Sequence, residues 1–317
     1  MTPKMVANFR RSLSFPNQPS SSSSSFSGTN KPKKIFHVRS TSLPCRSHPL
    51  IFQLKDSINE LKAWAIISGS EPDHHNRTSD WLRDGLSQLK LVHESLDDLL
   101  QLPQTRESLL GHYDLIEKFL EDFLHFVDVY GIFQSLILRL KEEHLAAQIA
   151  VRRRDDSKIS FYLKTVKKLS KEIGKLVSAV QCIGKYSIPS LDGDAELAGI
   201  IRDVIEVTVT VSVAVFNGIS ISLSSRKSLR IGYLCLSGKK VNNNSTGEGG
   251  IEEIQKMAGI MENLWNLRRK KGEEELKLAS KGMNEMEDCI CGIEIGSERA
   301  FRSLISTRVS LLNVLTH

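Results

Sequence analysis

Between His112 and Arg154 an apolar residue recurs mostly every three or four positions: Leu115, Phe119, Phe123, Phe126, Tyr130, Phe133, Ile137, Leu140, Ala147 and Val151. That spacing keeps one stripe on one side of an α-helix. Glu117, Lys118, Glu121, Asp128, Arg139, Glu142 and Glu143 fall mostly outside it. At about 1.5 Å per residue the run reaches roughly 60 Å, more than a compact domain needs. A stripe so rich in Phe cannot be left wet, so other helices must cover it. The expected fold is therefore all-α, an elongated antiparallel helical bundle with coiled-coil character.

The neighbouring segments supply such helices. Pro49 suits a first helical turn, and Ile51, Leu54, Ile58, Leu61 and Ala65 form a stripe as far as Ile67. Ser79 is the expected cap of a second helix with Leu82, Leu86, Leu89, Leu96 and either Leu99 or Leu100 inside. Pro103 closes it, and Thr105 to Leu110 reads as a turn. Arg152, Arg153 and Arg154 end the long run, where cations meet the negative end of the helix dipole. Asp155 or Asp156 can cap the next helix, expected to reach Ile183. Phe161, Val166, Leu169, Ile173, Leu176 and Val180 are predicted to face inward, with Lys164, Lys167, Lys168, Lys171 and Lys175 on the back.

Residues 184–193 read as a break. The stretch Val207 to Ser225 carries no charge and alternates Val with Thr or Ser, a strand pattern favoured by β-branching. One isolated strand cannot satisfy its own backbone in helical surroundings, so a buried helix is expected against local propensity. Its length approaches a membrane span, but its Ser and Thr content, with Asn217 and Gly218, speaks against that use. Residues 237–250 read as a flexible linker. Helical character is expected from Ile251 to Ala279. A last helix should begin near Met283, with Met286, Ile290, Ile293, Ala300, Leu304, Leu311 and Leu315 in its stripe.

The net charge of +6 is unevenly placed, because residues 1–55 contain no Asp or Glu. Residues 1–48, rich in Ser, Pro, Lys and Arg, have too few apolar groups to offset ordering entropy, so a disordered tail is expected ahead of one helical domain, 49–317. Within the tail one pattern occurs twice. Arg11, Ser14 and Pro16 stand in the same R-S-x-S-x-P spacing as Arg39, Ser42 and Pro44. A basic residue three before a serine suits basophilic kinases, and the pattern resembles the phosphoserine motif docked by 14-3-3 proteins. Phosphate would add nearly two negative charges for an arginine cluster to grip. Two copies on one chain can engage both halves of a dimeric reader. The plainer alternative is that Ser-, Pro- and Arg-rich sequence generates such strings by chance.

Candidate chemistry elsewhere is thin. Asp73, His74 and His75 lack a further ligand at metal spacing, so a metal is not expected. Glu94, Asp97 and Asp98 read as the solvated back of a helix rather than an acid–base pair. The five cysteines, Cys45, Cys182, Cys235, Cys289 and Cys291, include no CxxC pair, which suits a reduced intracellular protein. Cys289 and Cys291 should point to different helix faces. No P-loop, dinucleotide glycine pattern or nucleophile elbow occurs. No catalytic residue, cofactor or nucleic-acid partner is therefore expected.

Two sets of residues carry a family resemblance. One is the stretch from Arg39 to Pro49 with that from Leu91 to Pro103. The other is the C-terminal run from Glu287 to His317, with its Thr307–Asn313 motif TRVSLLN. Together they resemble the plant-specific DUF241 family, related to the BYPASS-type proteins of plant development, from about residue 39 onward. The resemblance implies an all-helical intracellular protein without known enzymatic activity, linked to root and shoot development. It supplies no catalytic residues. The extra N-terminal tail and the Val-Thr run depart from the family pattern. The expected function is a helical interaction or regulatory protein, with 14-3-3 proteins as candidate partners and homo-oligomers formed through the helices. The alternative is peripheral membrane association through the tail and the lysine-rich face. The expected location is cytoplasm or nucleus, the alternative being a chloroplast reached through a cleaved leader.

Overall fold

The computed structural model describes residues 48–67, 77–185, 195–224, 250–267 and 272–316, all within the compact unit Leu43–His317. They form eight helices: α1 (Pro49–Ile67), α2 (Ser79–Leu100), α3 (Pro103–Leu109), α4 (Tyr113–Arg153), α5 (Asp156–Val180), α6 (Ala195–Ser224), α7 (Glu252–Leu267) and α8 (Glu273–Thr316). Among the described residues the only β contact is an isolated bridge between Arg77 and Ile251. The fold is all-α, as the periodicity demanded. The linker expected at 237–250 lies outside the described residues except for Gly250.

Helix α4 is the spine. Every residue of its predicted stripe from Leu115 to Val151 is buried. Helix α8 runs antiparallel along it, tied by Lys141 to Glu294 at 2.6 Å and by Gln148 to Glu287 at 2.7 Å. Helix α5 folds back after Asp155, whose carboxylate accepts from the Lys158 amide and caps the new helix. Helix α5 then pairs antiparallel with α6. At their contact Ser170 donates to the Ser220 carbonyl and Ser220 to the Ser170 carbonyl, both at 2.9 Å. Helix α7 packs back on α8, and α2 lies parallel to α8, with α1 against α2 and α6.

The strand-like run is helix, and its hydroxyls explain how. Thr208, Thr210, Ser212 and Ser222 each donate to the carbonyl four residues earlier. These hydroxyls need no cross-strand partner, because their own helix satisfies them. Burial of Val207, Val211, Val215, Phe216 and Ile219 overrides β propensity. Helix α4 and the span Glu196–Ser224 are each long and apolar enough to cross a membrane by length and composition. The α4 stripe and the α6 residues just named are buried in the bundle, while Ile132, Leu138, Leu145 and Ile149 of α4 are exposed.

Several expectations need correction. Thr78, not Ser79, caps α2, accepting from the Trp81 amide. Ser79 is already helical and binds the Glu253 carboxylate of α7 through its amide and its hydroxyl, a negative group at a helix N-terminus. The expected turn at 105–110 mostly belongs to the short helix α3. The expected helix 251–279 ends at Leu267, and α8 already begins at Glu273. Phe161 does not face inward; it is 60% exposed, while Ile159 and Tyr162 are buried.

Gly85 of α2 fixes the approach of α1. A side-chain carbon there would overlap the ring of Trp64. That ring is nearly buried and stacks on Trp81 at 4.2 Å with 11° between planes. The Arg77 guanidinium lies 4.4 Å from the centre of the Trp81 ring, so Trp64 has little room to retreat. Gly85→Ala is expected to lower stability by about 1–3 kcal/mol, despite the better helix propensity of alanine. A urea-unfolding midpoint unchanged or raised in the variant would contradict this packing.

Candidate functional site

The bundle interior holds two polar clusters, both centred on a histidine absent from the predicted stripes. His93 of α2 is wholly buried, with its ring edge-on to Phe123 at 5.8 Å. Its Nε2 lies 3.0 Å from Thr208 Oγ1. The Thr208 hydroxyl has one proton and donates it to the Val204 carbonyl, so it accepts from His93. His93 is thus a neutral ring protonated on Nε2. On its other side Thr307 of α8 donates to the Ser303 carbonyl at 3.0 Å, with His93 Nδ1 3.5 Å away. Burial holds the His93 pKa far below the usual imidazole range, at about 3.

His144 of α4 repeats the logic at the other half of the bundle. Its Nε2 is 2.8 Å from the Met283 carbonyl, which can only accept, so this nitrogen carries the proton. Its Nδ1 then accepts from the Tyr162 hydroxyl at 3.3 Å. Burial lowers the His144 pKa, opposed by the Met283 bond and by Glu287. Between the two clusters Tyr130 donates to Ser212 at 3.0 Å, because the Ser212 proton is committed to the Thr208 carbonyl. Burial pushes the Tyr130 hydroxyl up to about 12.

A histidine beside a threonine hydroxyl invites comparison with a nucleophile and its base. Here the relation is reversed, since His93 donates and the Thr208 proton points at a helix carbonyl. A general base needs a pKa near the working pH and reach to a substrate. His93 has neither. These clusters join α2, α6 and α8, and α4, α5 and α8, so their chemistry is spent on fixing helix register.

At the surface, Glu94 pairs with Lys90 at 2.7 Å and Asp98 is exposed. Asp97 departs from the solvated reading. It is half-buried and accepts from Ser306 at 2.9 Å and from Ser310, clamping α2 to α8. Cys289 is buried, with its thiol pushed up to about 12 by burial, whereas Cys291 and Cys182 are exposed. The two neighbouring thiols indeed point to different faces. Among the described residues no group of three or more His, Cys, Asp or Glu is placed to hold a metal ion. Asp73, His74 and His75 lie outside the described residues.

Among the described residues several grooves open on the surface, two of them large. One, about 430 Å³, lies among α5, α6, α7 and α8, with Tyr162, Leu223, Ile254 and Met286 below and Lys164, Lys167, Glu262 and Trp265 around it. The other, about 510 Å³, runs between α2 and α8 beside Arg83, Asp288, Gly292 and Arg299. Neither is lined by a histidine, and the second has the exposed Cys291 in its wall. The tail residues Arg11, Ser14, Pro16, Arg39, Ser42 and Pro44 lie outside the described residues.

A helical bundle whose internal polar groups serve inter-helix bonds defines, as a class, an all-α bundle fold. The family model for Protein BPS1 matches residues 85–314. The chain belongs to this family, the BYPASS family, whose members are plant developmental regulators rather than known enzymes. The match begins within α2, later than the resemblance from residue 39 suggested. No curated protein and no solved structure matches the chain.

Proposed function

We propose that this chain is a regulatory protein of plant development that acts by binding rather than catalysis, and that its tail is read after phosphorylation. The coarse part rests on family membership. The finer part rests on one observation, the twin R-S-x-S-x-P motifs at Arg11–Pro16 and Arg39–Pro44. Phosphate on Ser14 and Ser42 gives two identical anionic handles 28 residues apart. A coil of that length has an r.m.s. reach on the order of 30 Å, so one chain can bridge two grooves of a dimeric 14-3-3 protein. Binding of the second handle is then intramolecular, which raises avidity without any new contact.

The test is capture of the phosphorylated full chain by a 14-3-3 protein. Ser14→Ala with Ser42→Ala is expected to abolish capture. Each single variant should weaken it at least about tenfold, more than the loss of half the sites, because avidity is lost with either. Equal capture of the double variant overturns the reading. Mature chains isolated from tissue that begin after Ser42 would overturn it too, since both handles would then be gone.

A further inference from the structure

The described lysines fall into two populations. Lys55, Lys62, Lys90, Lys141, Lys256, Lys277 and Lys281 each meet a carboxylate, and Lys118 is also engaged. Among the described residues, every lysine without an ion pair lies between Lys158 and Lys185, on α5 or just after it. Lys164, Lys167, Lys168 and Lys171 are all exposed, and Lys175 meets only Glu172 of its own helix.

The placement is regular. The buried row of α5 is Ile159, Tyr162, Val166, Leu169, Ile173, Leu176 and Val180, in alternating steps of three and four. Phe161, Lys164, Lys168, Lys171 and Lys175 follow the same steps, displaced by two residues. Two residues are a rotation of about 200°, so this second row faces directly away from the core. It is a straight cationic edge roughly 20 Å long with an aromatic ring, 60% exposed, at one end.

We propose that this edge of α5 docks on an anionic bilayer surface, with the lysines on lipid headgroups and the Phe161 ring set into the interface. Charge complementarity selects an anionic partner, since among the described residues Lys164, Lys168 and Lys171 meet no carboxylate and only Lys175 of the row has one, Glu172. The acid-free stretch 1–55 cannot supply one either. The ring selects the bilayer among anionic partners. An exposed ring can enter the acyl boundary of a bilayer, where basic residues beside it strengthen attraction to anionic lipid, and lysine, a point charge without a fork of donors, reads charge density rather than base edges. The surface acts independently of tail phosphorylation.

The test is sedimentation of the full chain with phosphatidylcholine vesicles, with and without about one-third phosphatidylserine. Binding is expected only to the anionic vesicles and should be lost at high salt. A lysine near such a surface contributes about fivefold to partitioning. Lys164→Gln, Lys168→Gln and Lys171→Gln together should weaken binding at least about tenfold, with the thermal unfolding midpoint unchanged because all three are exposed. Phe161→Ser should weaken it several-fold while leaving the salt dependence in place, a pattern that loss of charge alone cannot give. Absence of binding to anionic vesicles overturns the proposal. Undiminished binding of the triple variant also overturns it, since the basic tail alone would then carry the effect. Tighter binding to single-stranded RNA than to the vesicles would assign the edge to nucleic acid and overturn it likewise.

Discussion

Phe133→Ala is expected to lower the unfolding free energy by about 3–5 kcal/mol, a large share of the roughly 5–15 kcal/mol that holds a typical protein folded. Phe133 is fully buried on α4, with its ring 4.4 Å from that of Phe216 on α6. Phe216 in turn lies 5.5 Å from Tyr130, which closes the group by donating to Ser212. Removing the Phe133 ring loses its transfer free energy and leaves a void between two helices already fixed elsewhere. Helix α6 is pinned by the paired Ser170 and Ser220 bonds and by Thr208, so it cannot collapse freely into the gap. That rigidity places the expected cost toward the upper end. Urea unfolding followed by circular dichroism measures it, and a loss below about 1 kcal/mol would mean that the α4–α6 contact is not part of the stable core. The same variant tests the helical state of the Val-Thr run, because Phe216 meets Phe133 only if α6 continues through it.

The helices were legible wherever apolar residues recur with a single phase. The α4 stripe, the α2 leucines and the Met286–Leu311 row of α8 are buried as their spacing required. Phase failed where apolar residues are adjacent. Phe161, Tyr162 and Leu163 offer three registers, and counting back four from Val166 gives Tyr162 rather than Phe161. Boundaries failed where the deciding partner is remote, as when Glu253 binds Ser79 from 174 positions away. The polar clusters failed for the same reason. His93 meets Thr208 across 115 positions and Thr307 across 214, and no local pattern announces either contact. One signal was available: His93 follows Leu89 by four and precedes Leu96 by three, and His144 follows Leu140 by four and precedes Ala147 by three. A polar residue in phase with a buried stripe needs an internal partner. The twin R-S-x-S-x-P motifs are a different case, read from residues along the chain that lie outside the described ones.

The buried histidines make the bundle acid-labile well above the pH at which carboxylates protonate. His93 titrates near pH 3 in the folded chain and near 6.5 once unfolded. The unfolded state therefore binds more protons throughout that window, and stability rises with pH there. The contribution is fully present above about pH 6.5 and is lost as pH falls toward 3. By pH ~5 the loss from His93 alone is on the order of 2 kcal/mol. His144 acts in the same direction, since its pKa is also lowered. Among the described residues the partners of His93 are uncharged, Phe123, Thr208 and Thr307, so none of them supplies a carboxylate to stabilise an imidazolium. Unfolding free energies measured between pH 7.5 and 5 should fall by about 1 kcal/mol or more per unit over the lower half of the range. His93→Gln is expected to be less stable at pH 7.5, because Thr208 loses its imidazole donor. Yet it should show a shallower slope toward acid, and pairing it with His144→Gln should flatten the slope further. A slope unchanged in His93→Gln would mean that the ring at the junction of α2, α6 and α8 already reaches protons in the folded state, and that the junction is open to water.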